Sequence, residues 1–306
     1  MYGPEYHNII KEICKNNQID YHLFDNRCIM LSYNGKKQFI WSRRFPYNTA
    51  SSSRIVDSKS VCSLILEAAG LPVISHKKLY RSDSEKYANQ KETSQKVCEN
   101  ILNQFAGVVI KPNDSYEGKN VYACFTAKEI EYALFEIFHS KEIIAVSPYI
   151  DSDNEYRVFY LQGKCLMAYR KIRPYVIGDG LSSLELLISN SDVQKENTLK
   201  YIDLNYIPAI GEKVEIGWKF NLSCGSTLEI IDDSELKESL FSLTKQAAEV
   251  LNVQFVTVDF LENSKDKKLS ILEINAGVAM DQFILKHPKG RAIAYSIYEK
   301  AILGLF

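Results

Sequence analysis

The amino-acid sequence predicts an α/β protein, of the α+β kind with mixed sheets. Strand-like and helix-like segments alternate from end to end without an internal repeat or a low-complexity tract. Two segments, 156–171 and 254–277, read as β-hairpins, and no eightfold strand–helix count fits, which sets a barrel aside. At 306 residues the chain exceeds one typical domain of roughly 100–200 residues, so two or three lobes are expected.

Residues 4–50 join a helical start, EYHNIIKEICKNN, to short alternating stretches around an Asn34–Gly35 turn signal. The stretch YNTASSS reads as a linker. In SKSVCSLILEAAG, residues 58–70, a serine opens a helix and Gly70 closes it. Val61, Leu64, Ile65 and Ala68 fall on one face of that helix, with Lys59 in the first turn. A polar and then amphipathic run delivers the strand GVVIK, followed by a strand (VYACFT), a helix (AKEIEYALFEIFHS) and a strand (EIIAVSPYI). The last third offers a strand (KFNLSCGS), a long helix (DSELKESLFSLTKQAAEVLN), the second hairpin and a closing helix.

Composition narrows the function. Apolar residues make up 46% and charged ones 25%, and 37 basic side chains meet 38 acidic ones, so no basic footprint for nucleic acid exists. The start lacks a signal-peptide pattern, and no run approaches the roughly 18 apolar residues of a membrane helix, so a cytoplasmic protein is expected. Seven cysteines scattered singly, without a CxxC, read as reduced structural thiols, neither a disulfide framework nor a zinc site.

The second hairpin carries the strongest chemical signal. A turn centred near residue 265 sets Asp259 across from Ile271 and places Asp259, Glu273 and Asn275 on one face. Val256, Val258, Phe260, Leu272 and Ile274 then take the other face. Like charges on adjacent strands cost something like 0.2–1 kcal/mol unless a cation lies between them. Three oxygen donors suit Mg²⁺, and a merely polar, exposed strand face is the alternative. Lys111 ends its strand beside a polar loop, from which it reaches a phosphate as a point charge or stands in solvent. Arg157 and Lys171 share a face of the first hairpin if its Gln-Gly turn is tight. GxxxxGK[ST], GxGxxG before a helix and GxSxG are all absent, which removes P-loop, Rossmann and serine-hydrolase readings.

Taken in order, the helix-borne Lys59, VVIKPNDSYEG, IIAVSPYI, EYRVF, IGDGLSSLELL, NLSCGS, VDF and LEIN resemble the ATP-grasp carboxylate–amine ligases. The resemblance runs from about residue 50 to the end and is closest to the ATP-grasp domains of cyanophycin synthetase and of the bifunctional bacterial glutathione synthetases. It implies two α+β lobes gripping ATP: residues 51–150 with a phosphate lid at 113–120, and residues 151–306 with the metal site, after a substrate-side region at 1–50.

The cofactors implied are ATP and two Mg²⁺, with Mn²⁺ able to stand in. Lys59, Lys111 and Lys171 would contact phosphates, with Ser115 and Gly118 in the lid. Ser147, Tyr149, Ile150, Glu155 and Arg157 would line the nucleotide, and Asp259, Glu273 and Asn275 would hold the ions. Lys171, Lys219, Asn221 and Asp281 would serve the reaction. The chain departs from the pattern in four places. Ser147 replaces the usual hinge glutamate, Asn120 a second lid glycine, and Gly217 an arginine for which Lys219 is the substitute. The fourth is AGVAMDQF, a shorter segment that offers Asp281.

The function implied is amide formation between a small-molecule carboxylate and an amine, of amino acid or peptide kind, through an acyl phosphate. The base for the amine stays open between Asp281, Glu215 and the phosphate itself. No nucleic acid or membrane partner is implied, and a homodimer is allowed for. Two alternatives stand beside it: an ATP-binding module of the same fold without ligation, and a phosphotransferase without an amine step.

Overall fold

The computed structural model describes residues 4–114, 118, 120–191, 193 and 202–306. Helix α1 (Pro4–Asn16) and an antiparallel sheet of β1 (Asp20–Leu23), β2 (Cys28–Tyr33) and β3 (Lys36–Trp41) form the N-terminal region. Asn34 and Gly35 both take positive φ, 46° and 78°, the geometry that an Asn-Gly hairpin turn requires. Tyr6, Ile9, Ile10 and Ile13 of α1 share one core with Ile29, Leu31 and Ile40 of the sheet and with α9 (Gly290–Leu303).

Where a linker is expected, α2 (Ala50–Asp57) forms. Thr49 caps it by accepting the Ser52 amide at 3.0 Å, and Val56 is buried. Serine-rich sequence has little helical tendency alone, so tertiary burial decides the outcome. In α3 (Lys59–Ala68) the buried stripe is Ser60, Cys62, Ser63 and Leu66, whereas Leu64, expected inside, is 64% exposed. The helix is rotated from the face its large apolar residues suggest, with small side chains turned to its neighbours.

The first large sheet has the order β4 (Lys77–Tyr80), β7 (Ile143–Pro148), β5 (Val108–Pro112), β6 (Tyr122–Cys124), antiparallel throughout. Leu79, Val108, Ile110, Ile144 and Val146 pack under α4 (Ser94–Gln104) and α5 (Ala127–Phe138). The alternate residues Val109, Lys111, Ala145 and Ser147 take the opposite face.

The second large sheet has the order β12 (Thr227–Ile230), β9 (Lys164–Ile172), β8 (Ser152–Leu161), β13 (Phe255–Asn263), β14 (Leu269–Asn275). Tyr156, Val158, Val256, Val258 and Phe260 share a core with Val56 of α2, with Leu66 of α3 and with Leu240 and Ala247 of α7 (Ser234–Val250). The other face changes character along the strands. Phe159, Met167, Tyr169 and Phe255 join the N-terminal core, while Glu155, Arg157, Lys171 and Asp259 occupy the opposite end.

NLSCGS, expected within a strand, is instead a 3-10 turn at Leu222–Cys224 that Gly225 leaves at φ 101°, ahead of β12. A two-stranded sheet of β10 (Tyr175–Ile177) and β11 (Lys213–Glu215) with α6 (Leu184–Ser189), and the short α8 (Asp281–Lys286), complete the elements described. Among the described residues no helix is long and apolar enough to cross a membrane.

Candidate functional site

The carboxylate face follows from the register of β13 and β14. Asp259 pairs with Glu273 and Thr257 with Asn275, so Asp259, Glu273 and Asn275 share a face. The pairing expected between Asp259 and Ile271 is off by two residues: the turn is centred half a residue later, so Ile271 pairs with Phe260 and is buried in the core, and a bulge then shifts Asp259 on to Glu273. Leu272, expected in that core, is the extra residue and is only half-buried. One inserted residue reverses the facing of everything on its turn side.

Asp259 is 1% exposed and is gripped by Arg157, whose Nε and Nη2 donate at 2.6 and 2.5 Å. Arg157 and Lys171 do share a face, but not through the turn. Gln162 and Gly163 make a tight turn with φ of 43° and 80° that pairs Leu161 with Lys164 and alone would set them apart, and a bulge that leaves Leu166 out of the ladder brings Arg157 across from Tyr169. Lys171 Nζ lies 3.5 Å from Asp259 and closer still to Glu155. Burial works against the Arg157 charge, but Asp259 outweighs it and holds the guanidinium well above its ordinary range. For Lys171 burial and Arg157 work against the charge, yet Asp259 and Glu155 raise its affinity for the proton.

Glu273 accepts a hydrogen bond from the Asn275 amide at 3.2 Å and faces Lys59 Nζ at 3.8 Å. Burial alone would raise its carboxyl, but Lys59, Lys111 and the Asn275 amide hold it at about 2. Lys59 reaches this place through Asn113. The Asn113 carbonyl accepts the Lys59 amide, its Oδ1 accepts the Ser60 amide at 3.1 Å, and its Nδ2 donates to Ser58 Oγ at 2.9 Å. Asn113, expected as the first lid residue, is therefore a buried anchor for the start of α3.

Lys111 is 5% exposed, and among the described residues no hydrogen bond or ion pair reaches its ammonium. Burial lowers it to about 8, against the attraction of Glu273. Ser115 lies outside the described residues. Gly118 has φ 67°, and a Cβ there would stand 1.9 Å from Asn221 Nδ2, so Gly118 lies against the NLS turn, and a larger residue would have to displace the Asn221 side chain and accept a strained backbone. Asn120 carries φ 54°, the conformation for which asparagine is suited.

At the other end of β7, Ser147 is buried and Tyr149 donates its amide to the Gly107 carbonyl at 2.9 Å, with Ile150 half-buried beside it. The Tyr149 ring lies edge-on to Phe125 at 5.0 Å and 6.3 Å from Trp218. Lys219 sits over Trp218, 5.6 Å from its centroid. Asp281 stands apart: Arg43 Nη2 donates to it at 2.5 Å, beside Tyr6 and Tyr298. Sequence reasoning missed both Asn113 and Arg43. Their partners are about 55 and 238 residues away, a distance at which no local pattern gives a signal.

No family model matches the chain. In sequence it is similar to the glutathione biosynthesis bifunctional protein GshAB of Streptococcus agalactiae, 25% identical over an alignment 203 residues long that covers 55% of this chain and 26% of that protein. The chain thus matches about a quarter of the length of this curated relative. Its structure is similar to a bifunctional glutathione synthetase from Pasteurella multocida, with a TM-score of 0.59 and 16% identity over 97% of this chain and 44% of that one. The D-alanine–D-alanine ligase from Bacillus anthracis gives a TM-score of 0.55 at 17% identity, over 83% of this chain and 67% of that one. The chain has the ATP-grasp fold.

In this ATP-grasp chain, Asp259, Glu273 and Asn275 offer two carboxylates and an amide oxygen, a donor set that fits Mg²⁺ completed by water and phosphate oxygens. Among the described residues no group of three His, Cys, Asp or Glu forms a closed metal cage. An ion held here therefore needs outside ligands.

Proposed function

We propose that the chain is an ATP-dependent carboxylate–amine ligase acting on small molecules of the amino acid or peptide kind. The observation that carries this reading is Lys111, a buried ammonium that no ion pair reaches among the described residues and that feels Glu273 and Glu155 only at a distance, with Lys59 repelling it. Burying an unpaired charge is costly, and an incoming phosphate removes that cost.

In the reaction a substrate carboxylate oxygen bonds to the γ-phosphorus of ATP as the bond to ADP breaks. The amine nitrogen then bonds to the acyl carbon, phosphate leaves, and the amine loses its proton. Phosphoryl transfer depends mainly on positioning and on neutralising charge. Lys59, Lys111 and Lys171 hold phosphate oxygens, and Ser147, Tyr149, Ile150, Glu155 and Arg157 line the nucleotide. Asp259, Glu273 and Asn275 would hold Mg²⁺, which supplies further positive charge to the phosphates. Lys219 and Asn221 face the acyl group, with Gly118 against Asn221 and the region 1–50 on the substrate side. The base is not Asp281 in this reading, since Arg43 already neutralises it; the departing phosphate takes that role.

ADP release against pools of amino acids and dipeptides is the test, with Asp259→Ala and Glu273→Ala as controls. Turnover with an amide product bears the proposal out, and a stable phosphorylated product without an amide points to a phosphotransferase. A second reading, a nucleotide-binding module without ligation, draws on the bidentate grip of Arg157 on Asp259. ATP binding with no turnover above the controls would favour it. All seven cysteines are free, and burial pushes Cys14, Cys62 and Cys98 up to about 12, which suits a reducing cytoplasm.

A further inference from the structure

Among the described residues, the face of the first sheet that carries Lys111 holds more than one polar side chain that makes no hydrogen bond of good geometry. Lys111 pairs with Ala145, Ala145 pairs with Lys78, and Ser147 lies two residues beyond Ala145. His76 directly precedes β4, two residues before Lys78, so the period of the strand sets it on this same face at the level of Ser147. Its amide donates to the Ser63 hydroxyl of α3 at 3.1 Å, which fixes the residue where the chain passes from one large sheet to the other.

The imidazole is 5% exposed, and among the described residues neither ring nitrogen makes a hydrogen bond of good geometry; the Ile74 backbone is near enough only to favour a proton on the ring, and burial outweighs it. Buried polar groups are hydrogen-bonded in the great majority of cases, so an imidazole unsatisfied at both nitrogens calls for an absent partner. Burial, with Lys111 and Lys59 both near enough to repel a proton, keeps the ring neutral and well below the ordinary histidine range. It therefore offers one N–H donor and one acceptor.

We infer that His76 is a third contact to the bound nucleotide, its ring N–H donating to a phosphate oxygen that Lys59 and Lys111 draw in. This rests on reading the cleft as the ATP site. The lysines gather the anion by charge, and a neutral N–H adds direction without a third positive charge in a crowded place.

Calorimetric binding of ADP, tripolyphosphate and adenosine to wild type, His76→Leu and His76→Gln tests the inference, with melting curves to establish folding. His76→Leu should bind ADP and tripolyphosphate about tenfold more weakly, as expected for one lost hydrogen bond, and adenosine equally well. His76→Gln, which keeps a side-chain N–H, should recover most of the loss. In wild type, the ring ¹⁵N resonances of His76 should move on adding ADP, a measurement that stands even if the leucine variant misfolds. Binding to His76→Leu within twofold of wild type, or unmoved resonances while wild type binds ADP, would overturn the inference alone. Wild type that binds no nucleotide would overturn the ATP reading and this inference with it.

Discussion

Lys111 places function against stability in one side chain. In the folded chain it titrates at about 8, and in the unfolded chain near its ordinary 10.5. Between those values the unfolded chain binds more protons, so the buried charge costs stability below pH 8 and that cost fades as pH rises toward 10.5. Lys111→Met should therefore stabilise the nucleotide-free protein at pH 7 by something on the order of 2–3 kcal/mol while abolishing ADP binding. Urea denaturation should show the gap between variant and wild type narrowing toward pH 10. Wild-type affinity for ADP should fall as pH passes through about 8, where Lys111 loses its proton. Glu273 acts in the opposite direction: held at about 2, its ionised form contributes stability above pH 4.5 that is lost as pH falls toward 2. Glu273→Gln should flatten that acid limb.

The start of α3 is held by a residue from a different part of the chain, and its loss should be visible in both folding and binding. Asn113→Ala removes a cap-like acceptor and a donor, so it should cost about 1–2 kcal/mol and weaken ADP binding by freeing Lys59. Unchanged melting in this variant would remove Asn113 from that role. Gly118→Ala should leave melting nearly unaltered yet raise the KM for ATP, because its Cβ would collide with Asn221. What was legible in the sequence follows the same division. Turn residues with a fixed backbone preference, Asn34–Gly35 and Gln162–Gly163, declared both tight hairpins, and period-two spacing put Glu273 with Asn275, whereas Asp259 joins them only because the bulge offsets a turn centred half a residue later than expected. The bulge at Leu272 was not legible, because nothing in a run of apolar residues says which one is left out of the ladder. Helix α2 was missed because serine-rich sequence folds there only against partners distant in the chain.

At the scale of the whole molecule, two antiparallel sheets present polar faces to one another, and the chain joins them through the segment that begins at Val73, bridged in parallel to Ile271. Anything that binds both faces should tie the lobes together. MgADP in large excess should therefore raise the melting temperature, about 2.7 kcal/mol of stabilisation at a hundredfold excess over Kd, and Glu273→Ala should lose most of the rise. The grip of Arg157 on Asp259 has a consequence at this scale as well. If the proposed Mg²⁺ site is right, Arg157 is a placeholder for that cation: a guanidinium stands in where an ion would otherwise be needed to keep two carboxylates on neighbouring strands. Folding is thereby released from metal supply, and chelator should leave the melting temperature where it was. On the proposed function, loading the ion would be an exchange of one positive guest for another, and the chain would be made, folded and stored in a metal-poor state and committed to chemistry only when nucleotide and ion arrive together.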